Sequence, residues 1–370
     1  MSDILNISPK NSYLTSKQWK QIVEYVKNRK NVIEESVVDE AIKEEFVEEP
    51  KIKMFTARSV AQTRATPTGI VLSSSGGTLS NKEYYLNSNI NLTTNLTITG
   101  NVTIDLNGFV LNGTGSGNVI TCNGNLTIKD SNPQNVNYGI VNENSIWTFS
   151  NNSSGTVIYG GIITNKGTGK GIAVNNTCTM EGGTIAGCVG TFGSAITVSS
   201  SGKFYMTGGK ILYNHNTSTS YGGAVYGEVA HSNAGSFISL SNAELSYNSA
   251  LGDGGAIYGY KVELSNTILS NNSAAKNGGG IYINNDDATG ENACLKVLNN
   301  SSIDNNWSAI YGGGIYCTGD FILSDSTVSY NICGADESDI ATGKLKNQGR
   351  GGAIFLSQSK NGKTSKGSLH

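Results

Sequence analysis

Along most of the chain, apolar side chains alternate with Asn, Thr and Ser at a period of two. Ile90, Leu92, Leu96 and Ile98 are followed in the same rhythm by Val102, Ile104 and Leu106. That period belongs to a strand with one buried face. The runs are short, as in Val262-Glu263-Leu264-Ser265 and Phe321-Ile322-Leu323-Ser324, and Gly and Asn separate them. Thr and Val favour strands, while Asn and Gly supply the left-handed backbone of tight turns. The rhythm differs before residue 60. Trp19, Ile22, Val23 and Val26 share one face of a helix, and Thr15 with Gln18 fits a capping box at its start. A second stretch, Val38, Ala41, Ile42, Glu45 and Phe46, ends at Pro50. The pattern therefore predicts a helical head and linker over 1–65 and a strand-built body over 66–370. The apolar stripe of the head must be covered, by the end of the body or by a partner in an oligomer.

Two motifs recur in the body. Gly-Gly-Ala/Gly-Ile/Val followed by an aromatic ends at Tyr226, Tyr258, Tyr282, Tyr316 and Phe355. An aliphatic-x-x-Asn motif ends at Asn165, Asn214, Asn248, Asn271, Asn306 and Asn331, and from Asn214 onwards its steps are 34, 23, 35 and 25 residues. A unit of this size, with short strands between turns, reads as one coil of a parallel β-helix. Stacked coils bring equivalent residues ~4.8 Å apart. Asparagine, with a donor and an acceptor, can then bond its equivalents above and below in a buried ladder. Cys188 stands where the pattern of Ile185 expects another Asn. The paired glycines permit a tight bend before Ile or Val enters the core. Ten to twelve coils would form a rod roughly 50 Å long.

The pairing of GGA[ILV] with aliphatic-x-x-Asn over about residues 160–356 resembles the polymorphic outer membrane protein repeat, which carries Phe where this chain has Ile, Leu or Val. The segment Tyr84 to Asp130 is similar to the opening coils of surface proteins with the pectin-lyase-like fold. The resemblance implies an all-β, right-handed, single-stranded parallel β-helix. It also implies an adhesin-like protein at a cell surface that binds glycans or a host or partner surface.

Composition narrows the alternatives. The formal charge is −2 with 15% charged residues, so the chain lacks the basic stripe that grips nucleic acid. No apolar run reaches the ~18 residues of a membrane span. Met1 to Asn31 has no apolar signal-peptide core. A cytoplasmically assembled virion or virion-like fibre is therefore the alternative to the cell surface. Residues 1–60 hold 20 of the 54 charged residues, and all 47 glycines lie from Gly69 onwards, which marks the boundary between head and body. Six cysteines without a CxxC read as buried free thiols.

Candidate chemistry lies on protruding loops and on the aromatics. The insertions Gly227–Gly235 and Asn284–Ala293 leave from one corner two coils apart, carrying Glu228, His231, Asp286, Asp287 and Glu291. Such carboxylates could ligate calcium or run glycoside hydrolysis. A polysaccharide-degrading enzyme is the second reading of function. However, Arg350 is the only arginine beyond residue 65, and of the polygalacturonase-like motifs only Asp286-Asp287 is present. No catalytic residue, metal ligand or cofactor is assigned. Tyr226, Tyr258, Tyr282, Tyr316 and Phe355, each following an inward Ile or Val, should form an exposed stripe able to stack on sugar rings or bind a partner. Gly351 to Leu356 still reads as an ordinary coil strand, so the natural protein is expected to continue beyond residue 370.

Overall fold

The structure is a computed structural model, describing residues 67–143, 146–228, 235–285, 293–334 and 351–357, and the backbone of 367–369. The head, His231, Asp286, Asp287 and Glu291 lie outside these residues. The described chain is all-β, and its long sheets are parallel throughout. It winds as a parallel β-helix.

One coil shows the plan. Val225–Gly227 is followed by a loop, then Phe237–Ser241, Glu244–Ser246 and Ser249–Ala250, and the next coil begins at Ile257–Gly259. Each strand pairs in parallel with its equivalent one coil on: Val225 with Ile257, Ile238 with Val262, Leu245 with Leu269, and Ser249 with Ser273. Because successive strand residues point to opposite faces, every coil sends the same positions inward. Ile172, Ile196, Val225, Ile257, Ile281 and Ile315 form one buried column. Ile163, Ile185, Ile211, Leu245, Leu269 and Ile303 form another. The cysteines Cys122, Cys178, Cys188 and Cys317 are buried in this core as free thiols, and burial pushes Cys188 and Cys317 up to about 12.

The glycine motif closes the corner between coils. Its first glycine is left-handed at Gly254, Gly278, Gly312 and Gly351, with φ between +63 and +72°. The next is pressed on the adjacent coil: a Cβ at Gly255 would collide with the carbonyl of Gly279, and one at Gly279 with that of Gly313. Only glycine meets both demands.

One element has no counterpart in the repeat reading. Between Asn125–Lys129 and Ile162–Thr164 the chain leaves the rod as an antiparallel sheet of Val136–Val141, Trp147–Ser150 and Thr156–Tyr159. Trp147 and Ile158 pack over Val110, Ile162 and Ala186 in a second, smaller apolar cluster. The excursion thus covers apolar side chains on the outside of the rod.

An asparagine ladder and an aromatic ladder

The asparagine ladder is built from Asn214, Asn248, Asn272, Asn306 and Asn331. Each side-chain Nδ2 donates to the Oδ1 of the next, at 3.0, 3.0, 3.0 and 2.9 Å along the series. Each Oδ1 also accepts a backbone N–H from the preceding coil, and Asn214 receives that bond from Cys188 at 3.0 Å. The second hydrogen of each amide goes back to a carbonyl of the preceding coil, such as Ile211 for Asn248 and Leu245 for Asn272. Every amide from Asn214 to Asn306 is buried. Donors and acceptors are matched, as burial demands.

Two of the expected ladder positions change. Asn271 is not a rung; Asn272 is. Strand pairing sets Leu269, not Ile268, beside Leu245, and Ile268 is 48% exposed. Two apolar residues in a row made the register ambiguous by one, and the inward residue is the second. Asn271 instead occupies the left-handed position before the rung, at φ +57°, shared by Tyr213, Tyr247, Asn305 and Tyr330. Asn165 is buried and bonded, but to Gly115, Gly117 and Lys170 rather than to another asparagine. The long antiparallel excursion precedes its coil, and the turn after Thr164 takes a different path. Cys188 does hold the rung below Asn214, as its spacing indicates.

The aromatic residues also stack. Ring centroids are 5.3 Å apart for Tyr226–Tyr258, 5.0 Å for Tyr258–Tyr282, 4.8 Å for Tyr282–Tyr316 and 5.2 Å for Tyr316–Phe355. All four pairs are face-to-face within 23°. The stripe lies on the outer face but is less open than its outward direction suggests. Tyr226 and Tyr258 are only 8% and 3% exposed, because Tyr221 covers them edge-on at 5.9 and 5.8 Å. Ring faces are used up between neighbours, so the stripe offers ring edges and hydroxyls to a ligand. Burial pushes the Tyr226 hydroxyl up to about 12 and the Tyr258 hydroxyl higher still.

The loops border the same face. Tyr258 Oη accepts from Asn284 Nδ2 at 2.9 Å, and Asn284 stands at the base of the second insertion. The first insertion begins at Glu228, which accepts from the Ser200 amide at 2.9 Å. Between the two lies a coil whose corner is one residue, the buried Tyr260. The steps between rungs are accordingly 34, 24, 34 and 25 residues. Among the described residues no group of three or more His, Cys, Asp or Glu could hold a metal ion.

The aromatics flanking the stripe were not picked out by the repeat. Among the described residues, those before the glycine motifs form their own column, Tyr221, Asp253, Asn277 and Tyr311, and Phe192, which precedes Gly193 and packs on Tyr221 at 5.3 Å, extends it by one coil. Their signal is their constant offset from the glycines.

Comparison with protein families matches residues 242–260, 266–284 and 300–318 to the Chlamydia polymorphic membrane protein repeat. In each stretch the seventh residue is a ladder asparagine, Asn248, Asn272 or Asn306, and the seventeenth a ladder tyrosine, Tyr258, Tyr282 or Tyr316. The family register agrees with the hydrogen bonding in choosing Asn272. No curated protein and no solved structure matches the chain.

Proposed function

We propose that this chain, a parallel β-helix of the polymorphic-membrane-protein repeat type, is an adhesin-like surface protein whose aromatic face binds glycans on a host or partner surface. The repeat type supports the adhesin class and a surface location. The observation that carries the binding face is the unbroken aromatic column from Tyr226 to Phe355, bordered by further rings on one side and by the loop bases on the other. Aromatic side chains stacked in a column along one outer face of the rod favour contact with another surface. The reading is one of binding without turnover.

The test is retention of the purified chain on epithelial cells and on an array of immobilised glycans. Wild type should be retained, and Tyr282→Ala should weaken retention. Tyr205→Ala, on the neighbouring face beside Phe237, should leave it unchanged. Loss of retention by Tyr205→Ala but not by Tyr282→Ala would move the binding face off the aromatic ladder.

A further inference from the structure

Towards the start of the chain the aromatic ladder stops at Tyr226. The same strand column continues through Thr197 and Ala173, which are too short to stack. Phe192 stands beside this end of the ladder. Its carbonyl accepts from Thr197 Oγ1. Its ring meets Tyr226 edge-on at 5.5 Å and Tyr221 at 5.3 Å. One coil further back is Lys170, whose Nζ lies 5.7 Å from the Phe192 ring centroid. Ile172, Ile196 and Val225 pair in register, so Lys170, Phe192 and Tyr221 belong to three consecutive coils. They span two strand spacings, about 10 Å along the rod.

This end is open where the ladder beyond it is closed. Phe192 is 40% exposed and Tyr221 39%, whereas Tyr226 and Tyr258 are buried. The cation beside the rings has no counter-charge. Among the described residues Lys170 Nζ has neither a hydrogen-bond acceptor nor a carboxylate, and the Phe192 ring is its contact. The side chain is half-buried, and desolvation alone lowers the pKa of its ammonium, with no anion acting the other way. An ammonium partly withdrawn from water and left unpaired gains from any anion brought to it. The Tyr221 hydroxyl likewise has no hydrogen-bond partner among the described residues, and it can both donate and accept.

We propose that Lys170, Phe192 and Tyr221 form a subsite for an acidic sugar residue, whose carboxylate pairs with the Lys170 ammonium while a C–H face lies against the exposed rings. The Tyr221 hydroxyl is free to exchange a hydrogen bond with a sugar hydroxyl. The site is an open platform and needs no cavity. An acidic peptide fits less well. The strand behind the platform, Ile196–Val198, is paired on both sides, so no free sheet edge is present to hold a peptide backbone. The proposal rests on the glycan-binding reading above and deepens it by naming the sugar class.

The experiment is saturation-transfer NMR and affinity titration of the full chain with sialyllactose, glucuronic acid and lactose. Wild type should bind at least one of the two acidic sugars more tightly than lactose, and added salt should narrow the difference. Lys170→Gln should weaken acidic-sugar binding roughly tenfold or more, the scale of a hydrogen bond to a charged group, and leave lactose binding unchanged. Lys170→Arg should keep the preference. Phe192→Ala should weaken acidic and neutral sugars alike, and Phe192→Tyr should not. Melting temperatures of the two lysine variants should match wild type, which separates a lost contact from a loosened rod. Acidic-sugar binding that survives Lys170→Gln, or binding of lactose as tight as that of both acidic sugars, overturns the subsite and leaves the glycan-binding reading standing. If no sugar is bound, both readings fall.

Discussion

At the scale of single residues, neighbours of one chemical type have opposite roles. Asn272 is a rung with all its groups bonded, and Asn271 beside it is a turn residue with a left-handed backbone. Asn272→Ala should cost ~1–3 kcal/mol by stranding its partners' amides. Asn271→Gly should be neutral or slightly stabilising, since glycine takes positive φ freely. Thermal melts of the two variants separate the roles, and equal losses would contradict the assigned register. The repeat spacing made the ladder's existence legible in the sequence. The choice between Ile268 and Leu269 as the inward residue was not, because both are apolar and only coil-to-coil pairing decides. Asp304 is a second case. It occupies the column of Ser246 and Ser270, which bond each other at 2.9 Å, yet its Oδ1 is buried without a partner. Desolvation raises its carboxyl above the ordinary value of 3.8. The ionised form is thus disfavoured in the fold, so this group costs stability once the pH exceeds its raised value. That cost disappears as the pH falls below 3.8. Asp304→Asn should be more stable than wild type at neutral pH and lose that advantage in acid, as read by denaturant titration at several pH values.

At the scale of elements, the coil is the unit and departures from it are insertions. The antiparallel excursion was not legible, because its Val, Ile, Tyr and Thr alternate with the same period as the rod strands. Nothing in that rhythm says whether a strand pairs with the next coil or with its own neighbour. Its packing is specific: a Cβ at Gly187, where φ is +70°, would collide with the Trp147 carbonyl. Trp147→Ala should cost about 3–5 kcal/mol as a large buried ring removed from a closed cluster, and should expose Val110 and Ile162. Increased binding of a hydrophobic dye, with an earlier unfolding midpoint, is the expected readout. The corner insertions are different in kind. The coil between them turns the same corner with Tyr260 alone. Replacing Glu228–Ser236 by one tyrosine should therefore leave circular dichroism and melting temperature near those of wild type. A collapse of the melt would show that the loop supports the rod.

At the scale of the whole molecule, the aromatic column, together with Tyr213 beside the asparagine ladder, ties stability to alkaline pH. Tyr213 and Tyr226 are pushed up to about 12, mainly by burial, and Tyr258 is raised further. An unfolded tyrosine ionises near 10. Above that value the unfolded chain releases protons that the folded chain retains, so stability should fall as pH rises past about 10. Ultraviolet titration should show these tyrosines ionising together with unfolding, not before it. The column itself was readable from the constant offset between glycines and aromatics. Its partial burial was not, since Tyr221 acts from outside the motif. The asparagine ladder has a consequence for inheritance as well as for strength. Each rung presents the same acceptor to the coil before it and the same donor to the coil after it, whatever the loop lengths. Excising residues 249–272 from the gene would join Asn248 to Ser273, reproducing the Asn-Ser-Ala sequence found at both sites. The amide of Asn248 would then meet Asn306 in place of Asn272. Recombination between repeats can in this way shorten or lengthen the rod by whole coils without breaking its seam.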